Sequence, residues 1–554
     1  MVTKLTSFAL AFSLLLVATG SGAAVTDDIR ALSTPAKQPQ QRYKRPYDEQ
    51  DWLDRFYAAR GYAPAWLGKN TGRAAAAVAL LEDAATQGLP PSNYQAAALD
   101  QQLRVAGPTD AAFDVALTRA MLHYLADLRV GRVRSEYHSA PPDPRLKSFD
   151  PVDQLRTAVD EDRLAAAVTR AEPRIPFYKH IKHTLAQYRE LAKAPAITLP
   201  AIAKGAKVEP NAPYPGAAAL RTLLVLVGDL DAAAPAGAAD VYTKELAEGV
   251  KRFQARHGLL DDGVLGRDTV AALNTPLSVR VRQLELTLER LRWLPDFADG
   301  PVIAVNLPGF RLWAFDHAAT VGVPALEMRV IVGTAVKTQT PLFIGSMRYL
   351  EFNPYWNVPR SIERNEIIPK LEKDPQYLAK NNMELVPRSG GGDGSDDGGA
   401  AAIDGLRSGA TRARQKPGPG NALGAVKFAM PNPDDIYLHS TSARELFKRT
   451  RRDLSHGCIR VEKPQELAQF VLAGKPEWTP ELIEEAMGPD GASRTVSLKS
   501  PIPVVLFYAT AIADRDGHAI FSPDVYKRDP MLEQLLTVER MPASAKHVAK
   551  PKIL

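Results

Sequence analysis

The apolar residues of this chain change their spacing once, near residue 295, and that change demands two kinds of architecture in one polypeptide. Upstream they recur at helical intervals. Ala74–Ala85, Ala111–Leu128 and Leu155–Ala171 each set an apolar stripe against a polar face. Leu246, Val250 and Phe253 do so within Thr243–His257, as do Val281, Leu284, Leu288 and Leu291 further on. Downstream the period becomes two. Leu326, Met328, Val330 and Val332 alternate with Glu327 and Arg329, Val426, Phe428 and Met430 follow the same rule, and Ile436 and Leu438 alternate with Tyr437 and His439. Pro503–Ile512 reads as a further, continuously apolar strand. The pattern predicts an α+β multidomain protein, and 554 residues at about 150 per domain imply several domains.

The punctuation between these runs predicts where the domains divide. A charged residue, an apolar run and then small residues make 1–24 a secretory signal peptide, with an uncleaved membrane anchor as the lesser reading. Residues 25–45, rich in Pro and Gln, read as a flexible leader, and 46–198 as a helical domain. A Pro/Ala/Gly-rich linker covers 199–216, a small three-helix unit 217–276 and a connecting helix 277–298. The β-rich domain spans 299–530, with a C-terminal tail over 531–554. An insertion at 357–424 interrupts the β-rich domain. It begins with helical stretches at Ser361–Lys373 and Pro375–Asn381 and continues into a Gly/Asp tract at 389–399, which holds no apolar residue and predicts a mobile tip on a lid.

Composition removes other classes. Hydrophobic residues make up 45% and charged residues 24% of the chain, which fits globular domains with real cores. A net charge of +6 spread along the chain gives no reason to expect nucleic acid as a partner. The single cysteine, Cys458, forbids an intramolecular disulfide and, in an exported chain, stands out.

That cysteine sits in the segment that carries chemistry. Ile436-Tyr437-Leu438-His439-Ser440-Thr441 is followed by Arg452-Asp453-Leu454-Ser455-His456-Gly457-Cys458-Ile459-Arg460-Val461. A thiol becomes a strong nucleophile once an imidazole takes its proton. His439 alternates out of phase with Leu438, so it leaves the core side of its strand. Gly457 permits a tight turn that frees the N–H of Cys458 for an oxyanion. Two other readings compete on residue types alone. Cys458 could be a core thiol, or His439, His456 and Cys458 could hold zinc, although His456-x-Cys458 is awkward spacing for one ion.

His439 followed by Ser455-His456-Gly457-Cys458-Ile459-Arg460 resembles the catalytic motif of L,D-transpeptidases, the YkuD domain. Phe352-Asn353-Pro354-Tyr355-Trp356-Asn357-Val358-Pro359, Pro417–Gly424 and Tyr508–Ala511 resemble that family's large Gram-negative periplasmic subgroup. Phe253–Leu259, Asp262–Gly266 and Thr269–Asn274 resemble the peptidoglycan-binding domain 1 family. The resemblance implies a helical scaffold domain, a peptidoglycan-binding module and a β-rich catalytic domain with an inserted lid. It also implies a periplasmic enzyme that needs no metal or organic cofactor. Cys458 would attack the L-centre carbonyl of meso-diaminopimelate in one tetrapeptide stem, release D-Ala and pass the acyl group to a second stem, giving a 3→3 cross-link. Water or a lipoprotein lysine as acceptor gives L,D-carboxypeptidase or anchoring activity instead, and a zinc-dependent wall hydrolase is the remaining alternative. The resemblance makes His439 the base, steadied by the carbonyl of Ser440. His456 and Gly457 shape the turn, and the N–H groups of Gly457 and Cys458 face the oxyanion. Arg460, Tyr437, Trp356 and Asn357 fall to substrate binding, with a structural ion pair as the competing role for Arg460. Implied partners are peptidoglycan stems as donor and acceptor, carbapenems as covalent inhibitors, and other cell-wall synthesis proteins.

Overall fold

The computed structural model describes residues 24–34, 49–106, 110–133, 137, 148–235, 237–317, 324–389, 394–514 and 517–538. The expected signal peptide therefore falls, but for its last residue, outside the described residues. The leader is corrected in part: 24–33 form a helix whose Ile29 is wholly buried in the first core, beside Val25 one turn earlier. Gln50 donates to the carbonyls of Leu32 and Ser33 and ties that helix down. The Pro/Gln run that suggested flexibility begins only after it.

The first core is built around the helix Ala111–Val130, which is buried on nearly every side. A helix so enclosed must satisfy its polar side chains internally. Asp114 accepts from the Tyr57 hydroxyl at 2.6 Å and from the N–H groups of Ala65 and Trp66, while Asp127 accepts from the Tyr94 hydroxyl at 2.9 Å. The single helix expected over Leu155–Ala171 is two, Pro151–Asp160 and Leu164–Ala171. They are broken at Asp162, whose φ of 56° no helix accommodates.

Nine strands make the main sheet of the β-rich domain: β1 Val302–Asn306, β2 Arg311–Phe315, β3 Leu326–Gly333, β4 Phe343–Phe352, β5 Val426–Ala429, β6 Leu438–His439, β7 Asp453–Ser455, β8 Ile459–Val461 and β9 Arg494–Phe507. Their order is β7-β3-β8-β6-β5-β4-β9-β1-β2, and β2 pairs back onto β3, so the sheet closes on itself with β7 appended. Closure leaves few strand edges exposed. Three pairs are parallel, β6 with β8, β3 with β7, and β1 with β9.

Alternation along these strands fills two cores. Ile303, Val305, Leu312, Val504 and Leu506 face the barrel interior, whereas Val302, Trp313, Phe315, Val505 and Phe507 face outward. Helices Pro176–Leu191 and Leu277–Leu291 cover that outer face with Tyr178, Ile181, Leu185, Leu284 and Leu288. The end of β9 is thus buried on both faces, which explains its continuous apolar run. The strand predicted through Ile512 stops at Phe507. Ala511–Ala513 instead forms a separate hairpin with Ala519–Phe521.

The module's three helices, Ala217–Leu226, Lys244–Arg256 and Arg267–Leu273, enclose a core of their own. Thr243 caps the middle helix by accepting from the N–H of Leu246. The stretch read as a linker is part of this unit: Lys207–Val208 pairs with Leu265–Gly266, and Leu199 and Tyr214 are buried in its core. The tail is corrected likewise. Arg528–Val538 is a helix whose Leu532 and Leu536 pack against Val133, Leu286 and Trp293.

The insertion is more than helices. Trp356–Asn357, Thr411–Gln415 and Met383–Pro387 form a three-stranded sheet, backed by the helix Ala400–Ser408 and an apolar cluster that includes Ile362, Leu371 and Leu406. The predicted helix at Ser361–Lys373 contains a π turn at Glu363–Ile367. Half of the Gly/Asp tract is ordered by backbone contacts rather than apolar ones. Ser395 and Leu385 exchange two backbone hydrogen bonds of 3.0 and 2.6 Å, and Gly398 lies so close to Pro375 that a Cβ there would sit 2.1 Å from its carbonyl oxygen. The mobile tip expected over 389–399 is thereby corrected for 394–399, while 390–393 lie outside the described residues.

Candidate active site

Strand register assembles the site. In the parallel pair β6–β8, Leu438 stands opposite Ile459 and His439 opposite Arg460. Leu438 and Ile459 are in the barrel core, so their out-of-phase neighbours Tyr437, His439, Cys458 and Arg460 share the other face. On the far side of β6, Lys427 is in register with His439, and Glu351 of β4 is in register with Lys427. One rung of the sheet thus reads Glu351, Lys427, His439, Arg460, with Lys427 Nζ 3.2 Å from Glu351.

His439 is buried at 5% exposure, and its Nδ1 lies 2.6 Å from the carbonyl oxygen of Ser440. A carbonyl only accepts, so Nδ1 carries the proton and Nε2 keeps its lone pair. Burial, with the Arg460 charge adding to it, lowers the imidazole to about 3. Ser440 is itself fixed: its Oγ donates to the carbonyl of Leu423 at 3.1 Å and accepts from the N–H of Val426 at 3.2 Å. Gly424, at φ 63°, makes room for this, since a Cβ there would lie 2.2 Å from Ser440 Oγ.

Cys458 is a half-buried free thiol. Its Sγ lies 3.5 Å from the carbonyl oxygen of Asp435. Burial pushes the thiol up, opposed by hydrogen bonding from Tyr437 and by the Lys427 charge. The Tyr437 hydroxyl is within reach of both Cys458 and the Trp356 indole, and its ring meets His439 edge-on at 5.7 Å. In this resting state both thiol and imidazole are neutral.

The turn before Cys458 is organised by Ser455. Its Oγ donates to the carbonyl of Cys458 at 2.6 Å and accepts from the N–H of Gly457 at 3.2 Å. Thr340 Oγ1 donates to the carbonyl of Gly457 at 2.7 Å. With φ at 123°, Gly457 takes a conformation that side chains avoid. The N–H of Gly457 is therefore spent inside the turn, whereas that of Cys458 meets no acceptor among the described residues. The expectation of two free N–H groups is corrected to one.

The remaining expected residues divide. Arg460 has no acidic partner among the described residues, and its buried Nε has no acceptor, so the structural ion pair is not formed. Trp356 joins Tyr437 from the insertion. Asn357 is exposed on the insertion's strand and paired in register with Arg414, not brought to the thiol. His456 is also exposed, its Nε2 2.6 Å from Glu366 Oε1 in the π turn, so it links the turn before Cys458 to the insertion. Among the described residues no group of three or more His, Cys, Asp or Glu side chains converges as a metal requires. Sequence reading missed Ser455, Thr340, Lys427 and Glu366. Ser455 lies inside the quoted motif, and Lys427 sits on an alternating strand. Thr340 and Glu366 reach the site only through the fold.

A thiol and a neutral, oriented imidazole sharing one face at neighbouring parallel strands, with an unpaired guanidinium beside them, make a set that can support nucleophilic chemistry on sulfur. Three known domain families match the chain. Residues 300–479 match the L,D-transpeptidase catalytic domain (YkuD), 216–273 match a family described as "Putative peptidoglycan binding domain", and 51–185 match the Scaffold domain. The chain carries an L,D-transpeptidase catalytic domain, a peptidoglycan-binding domain and a scaffold domain in one polypeptide. It is similar to a Haemophilus influenzae protein named "Putative L,D-transpeptidase", with 34% identity over 248 residues, 45% of this chain and 48% of that protein. The chain thus spans about half the length of the curated relative it matches.

Proposed function

We propose that this chain is a periplasmic L,D-transpeptidase that forms 3→3 cross-links in peptidoglycan through a thioester on Cys458. The observation that carries the reading is the shared face of His439 and Cys458, with the imidazole proton fixed on Nδ1 by Ser440 and Nε2 left to act as a base. The extracytoplasmic location rests on the wall-related domains and the signal-like N-terminus. Among the described residues no helix is long and apolar enough to cross a membrane.

In this mechanism His439 Nε2 takes the proton of Cys458 Sγ as sulfur attacks the L-centre carbonyl of diaminopimelate in the donor stem. Coupling the two events avoids a stable thiolate–imidazolium pair, which the buried neutral site disfavours. The N–H of Cys458 meets the developing oxyanion. The bond to D-Ala breaks, and its amine leaves with the proton from His439. The side-chain amine of a second stem then attacks the thioester, giving up a proton to His439 and freeing the thiol. Arg460 offers its unpaired guanidinium to a stem carboxylate, and Tyr437 and Trp356 wall the donor groove. Asn357 at the insertion's strand is proposed only as a rim contact.

Incubation of the purified protein with disaccharide tetrapeptide, followed by mass spectrometry, tests the reading. Expected products are 3→3 dimers together with free D-Ala. Cys458→Ala removes them, and His439→Ala lowers the rate by about 10²–10⁴. Tripeptide alone would make water the acceptor, whereas a tripeptidyl amide formed on an added lysine-bearing peptide would make the enzyme an anchoring one. Chelator-sensitive cleavage that survives Cys458→Ala would make the protein a zinc hydrolase.

A further inference from the structure

Away from the thiol, a cleft of about 1050 Å³ separates the three-helix module from the back of the barrel. Its walls are Gly258–Asp261 of the module, the hairpin residues Ala513, Asp514, Ile520 and Phe521, and the loop Lys448–Arg452 that leads into β7. That loop reads Lys-Arg-Thr-Arg-Arg, a basic run that the even overall charge conceals.

The charges here are not balanced. Arg311, Arg329 and Arg451 have carboxylate partners in Glu327, Glu462 and Asp453. Arg452 does not: it is buried, and its guanidinium donates only to the carbonyls of Val330, Phe310, Arg449 and Thr450. Arg280 stacks on Phe521 at 4.7 Å and donates to Gln283 and the carbonyl of Ala272, again with no acid. Burial draws both guanidinium groups down to about 10, the direction in which an arriving anion would relieve them. At the rim Lys448 and Arg449 are exposed and make no ion pair among the described residues. The module contributes Leu260, 57% exposed, and the exposed acids Asp261 and Asp268. Buried cations kept without carboxylates cost stability, so a cleft lined by them is matched to an acidic occupant. Apolar patches beside the charges suit sugar faces.

We propose that this cleft binds the carboxylate-bearing peptide stems of a wall strand, so that module and catalytic domain hold one polymer between them. The proposal deepens the transpeptidase reading and rests on it: the occupant is the polymer whose stems reach Cys458, and Lys448–Arg452 connects the cleft to the catalytic turn through β7. Attraction between the cleft and the stems should be salt-sensitive, as exposed charges are.

The test is pelleting with purified sacculi, in a Cys458→Ala background so that no covalent capture contributes. The double variant K448E/R449E should weaken pelleting by tenfold or more at low salt and flatten its salt dependence. In the Cys458-containing chain the same pair should leave the thermal midpoint and the acylation rate with a soluble tetrapeptide unchanged. Should the reversal prevent folding, K448Q/R449Q carries the test with about a threefold loss. Unchanged pelleting overturns the proposal. So does equal binding to glycan strands stripped of their stems, or equal binding to duplex DNA or anionic vesicles, which would make the cleft a general anion surface. Failure of Cys458 to acylate would instead sink the transpeptidase reading, and acylation is measured separately.

Discussion

At the scale of single residues, the pair that matters is held neutral. An imidazole lowered to about 3 stays unprotonated across the pH range where ordinary histidines titrate near 6.5. Acylation of Cys458 by a small soluble β-lactam should therefore show no loss of rate between pH 7 and about 4. Stopped-flow measurement across that range checks this, and a fall with a midpoint near 6.5 would mean that His439 is solvated in the working enzyme. Stability has the opposite sensitivity. Below about 6.5 the unfolded chain binds a proton that native His439 refuses until about 3, so this group's contribution is full above 6.5 and is lost as pH falls towards 3. The same thiol should accept a carbapenem as its acyl donor, with one adduct per chain by intact-protein mass spectrometry. The adduct should be absent in Cys458→Ala and formed far more slowly in His439→Ala. A mass shift that persists in Cys458→Ala would discredit the nucleophile. These two residues could be read from the sequence because alternation about Leu438 and the His-Gly-Cys turn are local signals. The engagement of the Gly457 N–H by Ser455 was not legible, because a hydroxyl's partner depends on how the turn closes.

At the scale of elements, the insertion shows how composition misleads. A Gly/Asp tract without apolar residues suggests disorder, yet Gly398 is there because the Pro375 backbone passes too close for any side chain, and Gly394 lies against the Glu384 carboxylate. A Cβ at Gly394 would lie 2.2 Å from Glu384 Oε2, and one at Gly398 would meet both Pro375 and Leu371. Gly398→Ala should therefore loosen the insertion rather than pass unnoticed, at a cost of about 1–3 kcal/mol. Because His456 bonds Glu366 of the π turn, the loosening should also change the acylation rate while the barrel keeps its fold. Hydrogen exchange confined to 357–424 would register it, and unchanged exchange there would restore the floppy-tip reading. Strand positions were legible where alternation was clean, as at Leu326–Val332. They were not at Pro503–Ile512, where burial on both faces erased the period and concealed the break before the hairpin.

At the scale of the whole molecule, the sequence showed the order of the units but not how they lock. Helix Pro176–Leu191 reads as part of the first helical domain, yet it lies on the barrel with Leu277–Leu291. The contacts that place it join residues far apart in the chain, 96 positions for Arg189 with Glu285 and 114 for Tyr178 with Arg292, which no local pattern encodes. The module is locked to the barrel's hairpin at Phe521. That ring is 1% exposed and meets Tyr188 at 5.3 Å and His257 at 5.4 Å, with Arg280 stacked above it. Arg256 adds a 2.6 Å hydrogen bond to the carbonyl of Ala519. One side chain from the barrel thus meets the scaffold's last helix, the module and the connecting helix together. Phe521→Ala should cost about 3–5 kcal/mol of packing, and the loss should be read as separation of units rather than collapse of one. Calorimetry of the variant should resolve the module's transition from that of the barrel, and calorimetry of the native chain should show the two as one. Acylation of Cys458 by a small donor should persist, because no residue of that face lies on β6 or β8. Loss of acylation in a folded Phe521→Ala protein would mean that module docking, and not only the insertion, shapes the catalytic turn.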